Sequence, residues 1–463
     1  MENHFDVVVI GGGPGGYIAA IRSAQLGKRT AVIEMDKLGG VCLNRGCIPT
    51  KALLKSAHAV HEIKDMKALG LDVELKGMDG AVAVKRAAQV SNRIVKGVEF
   101  LMKKNKIEVI AGKAELRSAK EIEVTLSSGE KKVVTAENTI LATGAHYKTF
   151  PGLVHDGKRL IGAWEALKLE NLPKSIGIIG AGAIGVEFAY FWNAFGVKVH
   201  IFEVQPHLLP IEDVDSSIEV EKAYKKLGID LHLGVEKVET KNNGEDVSII
   251  ATENGVTTEH KFDYALIAVG MTGNTEGIGL EKVGVQTERG FVKVNEYYET
   301  NVKGLYAIGD LAGPPLLAHV ASHEGVIAVE HLAGLKPHPL HKMNVPGCTY
   351  CQPQVASVGY TEDQLKKEGT EYSVGKVPFR ACGKAVASNE MEGHIKVLMG
   401  KDGQMLGAHI VGTHATELIH EYVLFRTMEG IDEDMFATIH PHPTLGEMLS
   451  EAVMAAKGRA LNC

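Results

Sequence analysis

The strongest periodic signal along the chain is a pattern that occurs twice. In each copy a short apolar strand runs into a glycine cluster, the apolar spacing changes to that of a helix, and a second apolar strand ends in an acid. The first copy reads VVVI from Val7, then Gly11, Gly13 and Gly16, a helical stretch through Leu26 stopped by Gly27, and TAVIE ending at Glu34. The second reads IGIIG from Ile176, then Gly180, Gly182 and Gly185, a helix through Phe195 stopped by Gly196, and VKVHIFE ending at Glu203. Helical segments from Pro49 to about Lys104 and short strands ending in TILATG (Thr139 to Gly144) lie between the copies. After the second copy come strands to LIAVG (Leu266 to Gly270), the segment TNVKGLYAIGD (Thr300 to Asp310) and a helix through about His331. From about His341 the pattern changes to a strand VASVGY, a short helix started by Thr361 and ended by Gly369, a hairpin turning at Asp402-Gly403, and two helices. A hairpin meander does not extend a parallel sheet, so this last region reads as a separate domain.

The predicted fold class is therefore α/β, with two Rossmann-like dinucleotide-binding domains and a C-terminal α+β domain. The boundaries expected are 1–145 and 271–340 for the two parts of the first nucleotide-binding domain, 146–270 for the second, and 341–463 for the last. A chain of 463 residues exceeds what one core normally serves, which agrees with about three domains. The net charge of −7 gives no electrostatic case for nucleic acid or an anionic membrane. The uncharged run Val7 to Ile21 is too short to span a bilayer and reads as a buried strand and turn. The strand VVVI begins six residues after Met1, too early for a basic leader, so a cytoplasmic or already processed chain is expected. Six cysteines in this length are too few for a secreted disulfide scaffold, and any disulfide here is expected to be a working one.

Each glycine cluster follows a strand, opens a helix, and has an acid 18 residues beyond its third glycine. That is where a dinucleotide fold places the carboxylate that binds a ribose diol. The first glycine permits the turn, the second lets backbone approach a diphosphate, and the third lets helix and strand pack. The helix N-terminus then offers free N–H groups to the anion. Glu203 would repel a 2′-phosphate, and Val204 and Gln205 supply no positive charge to hold one, so the second site is expected to take NAD rather than NADP.

Cys42 and Cys47 follow the first copy in GGVCLNRGCIPTK. In a regular helix this spacing separates the Cα atoms by about 8.6 Å, beyond the roughly 7 Å a disulfide spans. The segment must be distorted if the two bond, and Gly46 and Pro49 are the residue types that would loosen it. Two buried cysteines acting as small hydrophobes are the alternative; the position, just after a dinucleotide fold at its strand-end face, favours a redox pair. Arg45 between them is expected to favour thiolates.

GGVCLNRGCIPTKALL, the two glycine clusters, TILATG, LYAIGD and the C-terminal HPHPTLGE together resemble the FAD and pyridine-nucleotide disulfide reductase family, class I, in its dihydrolipoamide-oxidising branch. The resemblance covers essentially the whole chain, and its most specific parts are the cysteine segment and HPHPTLGE. It implies that FAD is held by Gly11, Gly13, Gly16 and Glu34, by Lys51, by Thr143 and Gly144 of TILATG, by Gly309 and Asp310 of LYAIGD, and by Ala318. NAD would be held by Gly180, Gly182, Gly185, Glu203 and Gly270. Cys42 would be the sulfur attacked by substrate and Cys47 the one facing the flavin, with Lys51 beside the flavin and paired with Glu187. His442 would be the base and Glu447 its orienting partner. The resemblance further implies a homodimer built through the last domain, each active site borrowing a histidine from the partner. Its protein partner would be a lipoyl domain or lipoyl-bearing protein of a 2-oxoacid or acetoin dehydrogenase complex or of the glycine cleavage system.

Family members often carry arginine where Met271 follows LIAVG here, which puts one contact near the NAD site in doubt. Without the resemblance, Thr444 and Glu447 read equally as a capping box, with Thr444 as N-cap and Glu447 at the third helical position. Glutathione reductase would want cations where Glu203-Val204-Gln205 stands, and a mercuric-type reductase a C-terminal cysteine pair where only Cys463 occurs. A structural, partner-binding subunit is the reading from outside enzymes. Cys348 and Cys351 form a CxxC without an obvious second ligand pair and read as structural, while Cys382 stands alone without a local pair. No metal-ligand set stands out, and most of the 20 histidines read as surface or packing residues.

Overall fold

A computed structural model describes residues 3–462; Cys463 lies outside the described residues. The chain forms two compact units. The first takes the N-terminal stretch to Ala52, Ala81–Thr149 and Val269–Leu340. The second takes Leu53–Gly80, Phe150–Ala268 and the chain from His341 onward.

In the first unit His4–Ile10 pairs in parallel with Thr30–Glu34 on one side and with the second half of Lys131–Leu141 on the other. Leu305–Ala307 extends the sheet beyond Lys131–Leu141, again in parallel. Glu108–Leu116 adds to Thr30–Glu34 in parallel on the far side, and Glu121–Leu126 then pairs with Glu108–Leu116 in antiparallel fashion. Val7, Val8 and Val9 are wholly buried, as expected for a strand covered on both faces. The helix Pro14–Gln25 crosses Ala318–Leu332 where glycines replace side chains: a Cβ on Gly325 would stand 2.8 Å from the Gly15 carbonyl oxygen.

The second unit contains a parallel sheet in the order Asp230–Leu233, Lys198–Glu203, Ser175–Ile179, Tyr264–Ile267, Leu160–Ile161. A meander of Lys237–Asn242, Val247–Glu253 and Val256–Phe262 accompanies it. From Gly347 the chain builds a five-stranded antiparallel sheet covered by Ala415–Thr427 and Glu447–Ala456. The expected helix after Thr361 is present as Glu362–Glu368, with Thr361 accepting from the Gln364 N–H in a capping box, and Gly369 closes it in the left-handed conformation. Three helices rather than two follow the hairpin, because Asp432–Ala437 is one in its own right. Among the described residues no helix is long and apolar enough to cross a membrane.

One buried cation ties the start of the helix Val214–Lys226 to the antiparallel sheet. Lys396 is 2% exposed, and its Nζ lies 2.9 Å from Asp213, 3.0 Å from Asp215 and 2.6 Å from Glu362. Burial pulls its pKa down, but the three carboxylates hold it above the ordinary lysine value. Burial likewise pushes Asp215 and Glu362 up, and their ion pairs overcome it, leaving both at about 2. Lys396→Met leaves these acids without their shared cation and is expected to cost about 3–5 kcal/mol in a denaturant melt. The depressed carboxyls also set an acid limb. Their contribution is complete above the unfolded values near 4 and drains away as pH falls towards about 2. Acid titration of the melting midpoint checks this, and a flat midpoint over that window would contradict it.

Candidate active site

Both glycine turns are built on the same sterics. Gly11 has φ +105° and Gly180 φ +100°, conformations that favour glycine. A Cβ on Gly16 would stand 1.9 Å from the Gly11 oxygen, and one on Gly185 2.0 Å from the Gly180 oxygen. Only glycine lets each helix pack this closely. The middle glycines serve differently: at Gly182 nothing lies within 4 Å of a Cβ position, and at Gly13 the nearest atom is 3.8 Å away. That open space is what a diphosphate needs to reach the backbone. Gly13 and Gly182 are also the N-caps of their helices, with no side chain capping either among the described residues.

The two acids are oriented alike. Glu34 accepts the Gly12 N–H at 2.7 Å and the Asp36 N–H at 2.8 Å. Glu203 accepts the Ala181 N–H at 2.7 Å and the Gln205 N–H at 2.9 Å. Each carboxylate is thus fixed across its own turn with lone pairs to spare for a diol. Cradle, uncapped helix end and oriented acid fit a dinucleotide at both places.

The cysteine segment grows directly out of the first turn. Gly39 donates its N–H to the Gly12 oxygen at 2.7 Å, and a Cβ on Gly40 would stand 2.7 Å from the Gly13 Cα. A helix Gly40–Arg45 ends at Gly46, whose φ −150° and ψ −109° break it before the helix Cys47–Asp65 begins. This is the distortion that the spacing demands. Asn44 braces the first piece through the Leu38 and Gly40 oxygens, and Thr50 Oγ1 donates to the Gly46 oxygen at 2.7 Å.

The Cys42 thiol shares a hydrogen bond with Cys47, and this contact, then burial, then the charge of Cys47 raise its pKa. Lys51 pulls it down and Asp310 pushes it up, which places all four groups in one electrostatic neighbourhood. Lys51 stands one turn beyond Cys47 on the same helix face. Burial also raises the Asp310 carboxyl. The Arg45 guanidinium is paired with Asp36, and the Lys51 charge draws Cys42 towards the thiolate.

Gly309 and Asp310 lie on a short 3-10 turn whose Gly309 N–H donates to the buried Glu324 at 2.5 Å. Ala318 opens the helix Ala318–Leu332. Thr143 and Asn274 exchange hydrogen bonds, Thr143 Oγ1 donating to the Asn274 oxygen at 3.1 Å and Asn274 Nδ2 to the Thr143 oxygen at 2.7 Å. They hold TILATG, with Gly144 at φ +72°, beside the strand Met271–Gly273 that follows Gly270. Glu324 and Asn274 carry no motif, and nothing in the sequence singles them out. Glu187 is buried in the second unit and accepts the Tyr350 N–H at 2.9 Å.

In the second unit His442 Nδ1 donates to Glu447 Oε1 at 2.9 Å, while Oε2 accepts the Thr444 N–H at 2.8 Å. These bonds hold the Glu447 carboxyl below its ordinary value, the Thr444 N–H foremost. The His442 side chain is 78% exposed, so its Nε2 is presented outward. The capping-box expectation fails here: the helix begins at Glu447 with Gly446 as N-cap, and Thr444 Oγ1 donates instead to the Pro441 oxygen. Two residues missed in the sequence support this loop. Cys382 approaches the Thr444 oxygen at 3.6 Å, and His440 binds Glu421 at 2.7 Å. Cys351 is buried with its thiol donating to the Pro353 oxygen at 3.1 Å.

Comparison with known proteins agrees with this geometry. Residues 5–325 match the family described as pyridine nucleotide-disulphide oxidoreductase, and residues 345–453 match the dimerisation domain of the same family. The chain is 45% identical to a dihydrolipoyl dehydrogenase of Zymomonas mobilis and 46% identical to one of Rhizobium etli, in each case over 100% of both chains. Among solved structures it is similar to LpdA of Mycobacterium tuberculosis, with a TM-score of 0.90 and 26% identity, covering 96% of this chain and 98% of that one.

Proposed function

The chain belongs to the pyridine nucleotide-disulphide oxidoreductase family, and on that footing we propose that it oxidises protein-bound dihydrolipoyl groups to the disulfide with NAD⁺ as acceptor. The observation that carries the reading is the hydrogen-bonded pair Cys42 and Cys47 at a helix break built onto the first glycine turn. Full-length relatives named dihydrolipoyl dehydrogenase support the choice of substrate. In the proposed domain plan 1–145 and 271–340 bind FAD, 146–270 bind NAD, and 341–463 form the interface of a homodimer, supported by the dimerisation-domain match.

Gly11, Gly13, Gly16 and Glu34, with Lys51, Thr143, Gly144, Gly309, Asp310 and Ala318, would hold FAD; Gly180, Gly182, Gly185, Glu203 and Gly270 would hold NAD. When bound, FAD supplies two-electron transfer from a thiolate to NAD⁺ as hydride. The steps of this chain are thiol exchanges. A substrate thiolate attacks the Cys42 sulfur of the Cys42–Cys47 disulfide, and Cys47 leaves as a thiolate. The second substrate thiolate attacks the substrate sulfur of the mixed disulfide, closing the lipoyl ring and releasing Cys42. The raised pKa of Cys42 means that the departing sulfur takes up a proton. His442, held by Glu447, removes the substrate's protons and returns one, acting on the partner subunit's cysteines. Lys51 and Glu187 are assigned their pairing by family resemblance. A lipoyl-bearing subunit of a 2-oxoacid or acetoin dehydrogenase, or of the glycine cleavage system, is the proposed protein partner. A cytoplasmic setting, supported by the sparse cysteine usage, completes the proposal.

The test compares dihydrolipoamide plus NAD⁺ with oxidised glutathione plus NADPH in one spectrophotometric assay. Turnover is expected with the first pair alone, and a preference for the second would overturn the reading. Glu203→Ala is expected to weaken kcat/KM for NAD⁺ by about 1–3 kcal/mol, the cost of hydrogen bonds to a charged group. Unchanged NAD⁺ kinetics would remove Glu203 from the nucleotide site.

A further inference from the structure

Three histidines that the sequence leaves as packing residues meet in the second unit. His200 lies on Lys198–Glu203, His232 on the neighbouring parallel strand Asp230–Leu233, and His260 on the meander strand Val256–Phe262. The register sets Asp230 opposite His200 and His232 opposite Phe202. One ring nitrogen from each histidine lies within 4.8 Å of the other two.

The hydrogen bonds around the first two rings are what aromatic packing does not explain. His200 Nε2 lies 2.9 Å from Asp230 Oδ2, and His232 Nδ1 lies 2.7 Å from Glu253 Oε1. The inner nitrogens, His200 Nδ1 and His232 Nε2, face each other at 3.2 Å. With each outer nitrogen donating its hydrogen to a carboxylate, both inner nitrogens are acceptors. Two lone pairs at that distance repel each other unless a proton or a metal cation stands between them. The spacing matches an edge of a tetrahedral site, since metal–nitrogen bonds of 2.0–2.1 Å place neighbouring ligands about 3.3–3.4 Å apart. Outer carboxylates on ligating histidines are the usual means of fixing their tautomer and orientation. Phe202 stacks on His232 at 4.4 Å, and Phe262 meets His200 edge-on at 5.0 Å, giving the site an apolar wall. Asp230 and Glu253 are 53% and 37% exposed, which leaves a route from solvent.

We propose that His200, His232 and His260 form a binding site for a divalent first-row transition metal of the zinc type, held by three imidazole nitrogens. The site joins the parallel sheet to the meander and is separate from the cysteine pair. Its probes are Co²⁺ and Zn²⁺ added to the full-length, FAD-loaded enzyme with Cys42 and Cys47 oxidised, so that this pair does not compete. Equilibrium dialysis is expected to find one Co²⁺ per chain, with a visible difference spectrum of tetrahedral intensity that Zn²⁺ abolishes. His260→Phe keeps a ring in place and is expected to weaken uptake about 100-fold or more, and Glu253→Gln by roughly 10–100-fold. Retained flavin absorbance and melting midpoint show that the variants are folded. Equal uptake by the parent and folded His260→Phe, or no stoichiometric uptake by the parent, would overturn the proposal.

Discussion

Cys47→Ala is expected to lower dihydrolipoamide oxidation by NAD⁺ by roughly 10⁴-fold or more, the scale seen when one member of a concerted catalytic unit is removed. The reaction consumes a protein disulfide, and without its second sulfur Cys42 stays a thiol, which offers a substrate thiolate no S–S bond to attack. A second outcome follows from the electrostatics. The hydrogen bond that the Cys42 thiol donates to Cys47 is the largest influence holding the Cys42 pKa up, and the charge of Cys47 adds to this. Removing both lets Cys42 ionise more readily, so Cys42 of the variant should alkylate faster at neutral pH than Cys42 of the reduced parent. Turnover within tenfold of the parent would show that the working pair lies elsewhere. Slower alkylation would show that Cys47 does not govern the proton on Cys42.

His442→Gln is expected to lower the same turnover by roughly 10²–10⁴-fold, the usual contribution of a general acid–base group. A free substrate thiol near pKa 8.5 is mostly protonated at neutral pH and must lose its proton before it attacks sulfur. Glu447 fixes the imidazole with its Nδ1–H engaged and Nε2 outward, and the depressed carboxyl keeps its charge throughout the neutral range. Glutamine preserves a hydrogen bond to Glu447 but cannot carry a proton. Reduction of an artificial dye by NADH does not involve the dithiol substrate and should survive in this variant. A parallel loss of both activities would make His442 structural, and retention of both would send the search for the base elsewhere.

What could be read from the sequence was what local sterics encode. Gly11, Gly16, Gly180 and Gly185 occupy places where a Cβ has no room or the backbone takes a glycine conformation, so their spacing announced the two turns. Thr361 and Gly369 marked their helix correctly for the same reason. The failures share another cause, because they depend on partners the linear order does not show. Thr444 and Glu447 match a capping pattern, yet Glu447 spends one oxygen on His442 and the helix starts at Glu447 itself. Lys396 looks like any strand lysine until three acids from two other segments close around it. His200, His232 and His260 come from strands in two different sheets, and only their register and packing bring the rings together.

The carboxylate clamp across each glycine turn bears on how coenzyme preference could be re-engineered. Glu203 contributes the acceptor for Ala181 as well as the carboxylate proposed to hold a ribose. Exchanging it for a small or cationic residue to admit a 2′-phosphate would therefore also unlatch the loop that receives the diphosphate. A single substitution aimed at NADP would lose grip on the common part of both coenzymes before gaining any on the new phosphate. Successful switching would need a second change that supplies the Ala181 N–H with another acceptor, so the two positions should be randomised as a linked pair.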